Sequence, residues 1–131
     1  MELSPGKNFT KYITRDEIDV SVREIAGRIN KDYAGKKLLL ICVLKGAYVF
    51  CADLLRNLHV ETEVEFVRLS SYGKARSSSG TVTIVQDIAS DIRDRHVLIV
   101  EEIIDSGRTL RFLYDRLKSS GPASVEIVTL L

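Results

Sequence analysis

Residues 97–110 read VLIVEEIIDSGRTL, and the type of fold can be predicted from this segment. Its first four residues are an uninterrupted apolar run, which is typical of a strand buried on both faces of a sheet. Two acids follow at once, and a helix is predicted over residues 109–119 because apolar positions then recur at helical spacing. The apolar face of that helix consists of Leu110, Leu113, Tyr114 and Leu117. The order of strand, acidic loop and helix is the repeating unit of parallel α/β sheets.

The same alternation extends upstream from this stretch. Ile18, Val22, Ile25 and Ile29 lie on one face of a helix predicted over residues 15–33. Thr14 and Glu17 have the spacing of a capping box at its start, and Gly35 is predicted to end it. The remaining predicted elements are a strand at 38–44, a helix at 47–58, strands at 64–69 and 81–85, a polar turn at 87–96 and a last strand at 125–131.

These elements predict one α/β domain spanning residues 1–131, with a mainly parallel sheet flanked by helices. Residues 70–80, SSYGKARSSSG, lack large apolar side chains apart from one tyrosine and are predicted to form a mobile loop. The chain is 45% hydrophobic and 28% charged, which is typical of a globular domain. Its formal net charge of +1 argues against broad binding to nucleic acid, so any phosphate site must be built locally.

The cysteines and histidines do not indicate a catalytic or metal centre. Cys42 and Cys51 lie in apolar stretches and are predicted to be buried, because no CxxC motif or Cys/His cluster accompanies them. His59 and His96 are isolated and flank turns, so neither is predicted to be catalytic. The sequence has neither a signal-peptide core nor the ~18 apolar residues needed to span a membrane, which predicts a cytoplasmic protein.

The end of the strand at residues 97–100 is the candidate binding site. Ligands of open α/β sheets bind beyond the carboxyl ends of the strands. Here lie the acids Glu101, Glu102 and Asp105, and after them a helix start formed by Ser106, Gly107, Arg108 and Thr109. Glycine allows close backbone approach, and the amides of a helix start favour phosphate. Spacing alone favours an ordinary helix cap slightly over a phosphate site, since GxxxxGK[ST] and GxGxxG are both absent.

The stretch 97–110 closely resembles the phosphoribosyl pyrophosphate motif of type I phosphoribosyltransferases. Three further segments resemble the hypoxanthine-guanine branch in the same order: LKG at 44–46, AYVFCADLLR at 47–56 and SSYG at 70–73. The resemblance extends from about residue 12 to residue 131. It implies the Rossmann-like core of a type I phosphoribosyltransferase.

The resemblance also implies roles for individual residues. Leu44, Lys45 and Gly46 would receive the pyrophosphate, with a cis peptide bond between the first two. Glu101 and Glu102 would hold the ribose hydroxyls and the water shell of Mg²⁺, and Asp105 would be the general base near N7 of the purine. Residues 105–109 would cradle the 5′-phosphate, and Ser71 and Tyr72 would close over the site from the mobile loop.

The implied reaction moves the phosphoribosyl group from 5-phosphoribosyl 1-pyrophosphate to hypoxanthine or guanine, giving IMP or GMP and pyrophosphate. Neither nucleic acid nor a membrane is an expected partner, and relatives commonly form homodimers or homotetramers. The chain departs from the family pattern in two respects. Many relatives have Glu-Asp where this chain has Glu101 and Glu102, and the C-terminal portion that forms most of the purine pocket does not follow Leu131.

The second departure keeps two alternatives to the enzyme open. One is a regulatory module that binds phosphoribosyl pyrophosphate or a nucleotide without turnover. The other is a folding fragment without activity.

Overall fold

The computed structural model describes residues 14–72, 81–102 and 107–130. These residues form three helices and five strands. In chain order the elements are α1 (Arg15–Asp32), β1 (Leu38–Leu44), α2 (Tyr48–Arg56), β2 (Thr62–Tyr72), β3 (Thr81–Gln86), β4 (His96–Glu101), α3 (Arg108–Lys118) and β5 (Ser124–Thr129).

The five strands form one sheet in the order β3-β2-β1-β4-β5. Strand β1 pairs in parallel with β2 on one side and with β4 on the other, and β5 is parallel to β4. Only β3 runs against its neighbour, as the return strand of a β2–β3 pair. The predicted class, a mainly parallel sheet flanked by helices, is therefore confirmed.

The helices lie on both faces of the sheet because its central strands are apolar on both sides. Leu38, Leu40 and Cys42 of β1 pack with α1 and α2. Leu39 and Ile41 face the opposite way and pack with α3. Side chains alternate between the two faces because a strand has a two-residue period. Since both faces of β1 are buried, its sequence LLLICVL contains no charged or strongly polar residue.

The helix starts and apolar faces agree with the sequence analysis. Thr14 caps α1: its hydroxyl accepts from the Glu17 amide at 3.0 Å, and the Glu17 carboxylate accepts from the Thr14 amide at 2.9 Å. Gly35 adopts φ +76° beyond the end of α1, which is the left-handed region that favours glycine. Cys42 and Cys51 are both free thiols and buried, as predicted.

The predicted boundary of the serine-rich loop is wrong at its start. Residues 70–72 belong to β2, where Ser70, Ser71 and Tyr72 pair with Thr83, Val82 and Thr81 of β3. Serine and glycine content predicted a loop, but pairing with β3 supplies strand hydrogen bonds that composition does not reveal. Residues 73–80 lie outside the described part of the chain. No helix in the described ranges has the length and apolar character of a membrane span.

Candidate functional site

The strand order creates a crevice between the carboxyl ends of β1 and β4. From β1 the chain passes through α2 to β2, which is the neighbour of β1 on one side. Strand β4 is its neighbour on the other side. The connections after β1 and β4 therefore diverge, which makes this the switch point where open α/β sheets bind ligands. The pairing of Cys42 with Val100 places residues 44–46 beside residues 101–102.

The turn at residues 44–46, which follows β1, has an unusual backbone geometry. The peptide bond between Leu44 and Lys45 is cis, as the resemblance implies. Lys45 and Gly46 are exposed, whereas the next residue, Ala47, is fully buried. A Cβ atom built on Gly46 would meet no atom of the described residues within 4 Å. Neither packing nor a left-handed backbone requires glycine there, so its open side is available to a ligand.

The two acids lie at the end of β4. Glu101 is the last residue of the strand, and its Oε1 accepts a hydrogen bond from the Glu102 amide at 2.9 Å. Both residues are half-buried. Burial raises the pKa of the Glu101 carboxyl, the amide hydrogen bond opposes that rise, and the neighbouring Glu102 charge adds to it. The Glu101 carboxylate is therefore partly desolvated and lies close enough to Glu102 to feel its charge.

This raised pKa predicts a pH-dependent cost to stability. The folded chain holds the Glu101 proton more firmly than the unfolded chain does, so stability falls as pH rises from the ordinary glutamate pKa through the raised folded value. Glu101→Gln is expected to raise the thermal unfolding midpoint at neutral pH. The gain should vanish below about pH 4, where the carboxyl is protonated in both states.

Thermal unfolding of wild type and variant across pH measures this effect. Glu126→Gln is the matched control, because Glu126 is exposed on β5. An equal gain in both variants, or a gain in Glu101→Gln that does not depend on pH, would contradict the burial argument.

The start of α3 is the third component of the crevice. Gly107 occupies the N-cap position with φ +81°, the left-handed region that favours glycine, and glycine has no side chain of its own to cap α3. Arg108 is exposed and Thr109 is half-buried. Backbone amides at the start of a helix, together with the helix dipole, favour an anion, so the start of α3 is a candidate phosphate site.

Four of the predicted site residues can be placed only in part or not at all. Asp105 and Ser106 lie outside the described residues. The backbones of Ser71 and Tyr72 lie at the carboxyl end of β2, parallel to β1, so they share the sheet edge with the crevice. Their prediction as members of a loop is wrong, since both belong to the strand.

One contributor to the site was missed by the sequence analysis. The Thr129 hydroxyl at the end of β5 donates to the Glu102 carbonyl at 3.1 Å. The two residues are 27 positions apart, so no local pattern could indicate the contact.

The donor set at the crevice fits a hydrated divalent cation. Mg²⁺ is usually held by one or two carboxylates together with waters and substrate phosphates, and Glu101 and Glu102 supply two carboxylates. No group of three or more acidic, histidine or cysteine side chains suited to a metal occurs in the described part of the chain.

A separate groove of about 650 Å³ lies between α1 and β5. Its walls contain Tyr33, which is 8% exposed, and His96, whose Nδ1 lies 2.8 Å from the Ser124 hydroxyl. None of the residues predicted from the sequence for the site lines it. The switch point, the acids and the glycine turn all lie at the other location.

Comparison with known proteins shows the family of the chain. Residues 14–131 match the family model described as "Phosphoribosyl transferase domain". The hypoxanthine-guanine phosphoribosyltransferase of Streptococcus pneumoniae strain R6 is 43% identical over 119 residues, covering 91% of this chain and 66% of the relative. That of Mycobacterium bovis is 44% identical over 136 residues, covering 99% of this chain and 67% of the relative.

A solved structure is similar over the same region. The hypoxanthine phosphoribosyltransferase of Trypanosoma cruzi, in a ternary substrates complex, superposes with a TM-score of 0.83 at 40% identity, covering 90% of this chain and 68% of that one. The chain thus spans about two thirds of the length of these relatives. Sequence and fold together establish that this chain belongs to the phosphoribosyltransferase family, in its hypoxanthine-guanine branch.

Proposed function

We propose that the protein transfers a phosphoribosyl group from 5-phosphoribosyl 1-pyrophosphate to hypoxanthine or guanine, with IMP or GMP and pyrophosphate as products. The observation that carries this proposal is the meeting of three features at one crevice. These are the exposed turn after β1, the acidic pair at the end of β4, and the glycine-started helix α3. Such a crevice offers separate positions for pyrophosphate, sugar hydroxyls and a terminal phosphate.

The turn at residues 44–46 is proposed to receive the pyrophosphate. Lys45 is an exposed cation at the sheet edge, and Gly46 has open space where a side chain would otherwise stand. An ammonium group acts as a point charge for phosphate, and a glycine lets phosphate oxygens approach backbone amides. Leu44, whose side chain packs against the core, anchors the turn.

The acidic pair is proposed to bind the ribose hydroxyls and to orient the metal. Carboxylates accept hydrogen bonds from hydroxyl groups and from metal-bound water. Bound Mg²⁺ would supply charge neutralisation for the departing pyrophosphate. A dication would also relieve the repulsion between Glu101 and Glu102 that helps raise the pKa of Glu101.

The start of α3 is proposed to hold the 5′-phosphate. Gly107, Arg108 and Thr109 belong to the described part of this turn, and Asp105 and Ser106 complete it in the sequence. Amides at a helix start bind phosphate through hydrogen bonds and through the dipole. Fixing the phosphate end of the sugar would hold C1 of the ribose between the leaving pyrophosphate and the purine.

The transfer step is proposed to be mainly electrostatic. As the bond from C1 to the pyrophosphate oxygen breaks, positive charge builds on the ribose ring, and the nearby carboxylates favour that charge. Asp105 would accept the purine proton as the ring nitrogen attacks. Ser71 and Tyr72, at the end of β2, would help to exclude water, because water would otherwise hydrolyse the reacting sugar.

A single assay tests the proposal. The protein is incubated with phosphoribosyl pyrophosphate, Mg²⁺ and, in turn, hypoxanthine, guanine or xanthine, and nucleotide and pyrophosphate are both measured. Formation of both with hypoxanthine or guanine is the expected result. Binding of phosphoribosyl pyrophosphate, measured by calorimetry, without either product would instead indicate the regulatory module, and absence of binding would contradict both.

The proposed partners are therefore small molecules, namely phosphoribosyl pyrophosphate with Mg²⁺ and a 6-oxopurine. Association into homodimers or homotetramers is part of the same proposal. Sedimentation at equilibrium measures it directly.

A further inference from the structure

The backbone around Glu102 is held by side chains on both sides. Its amide donates to Glu101 Oε1 at 2.9 Å, and its carbonyl accepts from Thr129 Oγ1 at 3.1 Å. Strand β4 ends at Glu101, so the regular ladder no longer fixes the residue that follows. Two side-chain hydrogen bonds thus fix the peptide groups on either side of the Glu102 Cα atom.

Thr129 is well placed to make the second of these bonds. It is the Cα partner of Glu101 in the last described pair between β4 and β5, and it is half-buried. Glu101, the first residue of the acidic pair, is held in strand β4. Thr129 contacts the second residue, Glu102, from the neighbouring strand β5. The orientation of the Glu102 side chain depends on its backbone dihedrals, and the hydroxyl of Thr129 restrains those dihedrals.

We propose that Thr129 is a positioning residue for Glu102, and that its hydroxyl sets the geometry with which the acidic pair receives the metal-bound sugar pyrophosphate. Thr129 acts through the backbone and not by contact with the ligand. The inference rests on the proposed function, because it assigns Glu102 to the metal and sugar. A residue with this role should affect ligand binding mainly when Mg²⁺ is present.

The test compares Thr129→Val, Thr129→Ser and wild type. Valine keeps the branched shape that suits a strand but removes the donor, whereas serine keeps the hydroxyl. Calorimetry measures the affinity for phosphoribosyl pyrophosphate with and without Mg²⁺. Thr129→Val is expected to bind about 5-fold more weakly with Mg²⁺, the range of one lost hydrogen bond, and within about 2-fold of wild type without it. Thr129→Ser should restore most of the Mg²⁺-dependent affinity.

Thr62→Val is the matched control. The Thr62 hydroxyl donates to the Val60 carbonyl at 2.9 Å, a bond of the same kind at the amino end of β2. Its loss should lower the thermal unfolding midpoint without changing the dependence of affinity on Mg²⁺. A purely structural role for Thr129 would give the same pattern as this control.

The outcomes separate the two proposals. Equal Mg²⁺-dependent binding by Thr129→Val and wild type, or equal weakening in Thr129→Val and Thr62→Val, would overturn the positioning role alone. If the wild-type protein fails to bind phosphoribosyl pyrophosphate at all, the proposed function is overturned and this inference with it. Should Thr129→Val fail to fold, Thr129→Ala tests the same loss of the hydroxyl with a smaller side chain.

Discussion

Gly107→Val is expected to weaken binding of phosphoribosyl pyrophosphate by about 100-fold or more, the size of one or two lost hydrogen bonds to a charged group. Two effects combine at this position. Gly107 has φ +81° at the N-cap of α3, where a β-branched residue is strained. The new side chain would also occupy the space through which the phosphate approaches the helix amides. Calorimetry with phosphoribosyl pyrophosphate and Mg²⁺ measures the loss.

The control for Gly107→Val must carry the same backbone strain away from the crevice. Gly35→Val meets that requirement, because Gly35 has φ +76° and a Cβ atom there would meet nothing within 4 Å. Gly35 lies between α1 and β1, at the amino end of β1, whereas the crevice lies at the carboxyl end of that strand. Gly35→Val should lower the thermal unfolding midpoint yet retain wild-type affinity. Retained affinity in Gly107→Val would remove the α3 start from the phosphate site.

Asp105→Ala is expected to lower turnover by about 10²–10⁴-fold, the usual contribution of a general base. The prediction rests on the sequence motif, in which Asp105 is the first residue of the phosphate turn, because the residue lies outside the described part of the structure. Affinity for phosphoribosyl pyrophosphate should change by only a few fold. A steady-state assay with hypoxanthine, combined with calorimetry, separates the two quantities.

Asp115→Ala is the matched control on the same segment of chain. Asp115 is exposed on α3 and pairs with Arg111 at 3.1 Å, so its removal deletes one negative charge at the protein surface. Exposed pairs of this kind contribute little to stability. Turnover should be unchanged in Asp115→Ala, and wild-type turnover in Asp105→Ala would exclude this residue from the proton transfer.

The strands with continuous apolar sequence were predicted closely. Strand β1 occupies residues Leu38–Leu44, the predicted span, and β4 differs from its prediction by one residue at each end. Both are central strands, and burial on both faces requires an apolar side chain at every position. The pattern that builds the sheet is therefore visible in each segment without knowledge of its neighbours.

The bounds of strand β2, which pairs with the edge strand β3, were predicted less accurately. Strand β2 begins at Thr62 and continues to Tyr72, beyond the predicted residues 64–69 at both ends. Its outer residues are polar, and their strand conformation depends on pairing with Thr81–Gln86 of β3. Composition describes the side chains of one segment, whereas hydrogen-bond pairing is a property of two.

The α/β class, the strand that leads into the acids and the glycine turn at residue 107 can be predicted from the amino-acid sequence. These features are local, since each depends on residues a few positions apart. The position of residues 44–46 and the acidic pair at one crevice depends instead on the strand order, which sets which connections meet. The hydrogen bond from Thr129 to Glu102 likewise exists only because β5 lies beside β4 in the folded sheet.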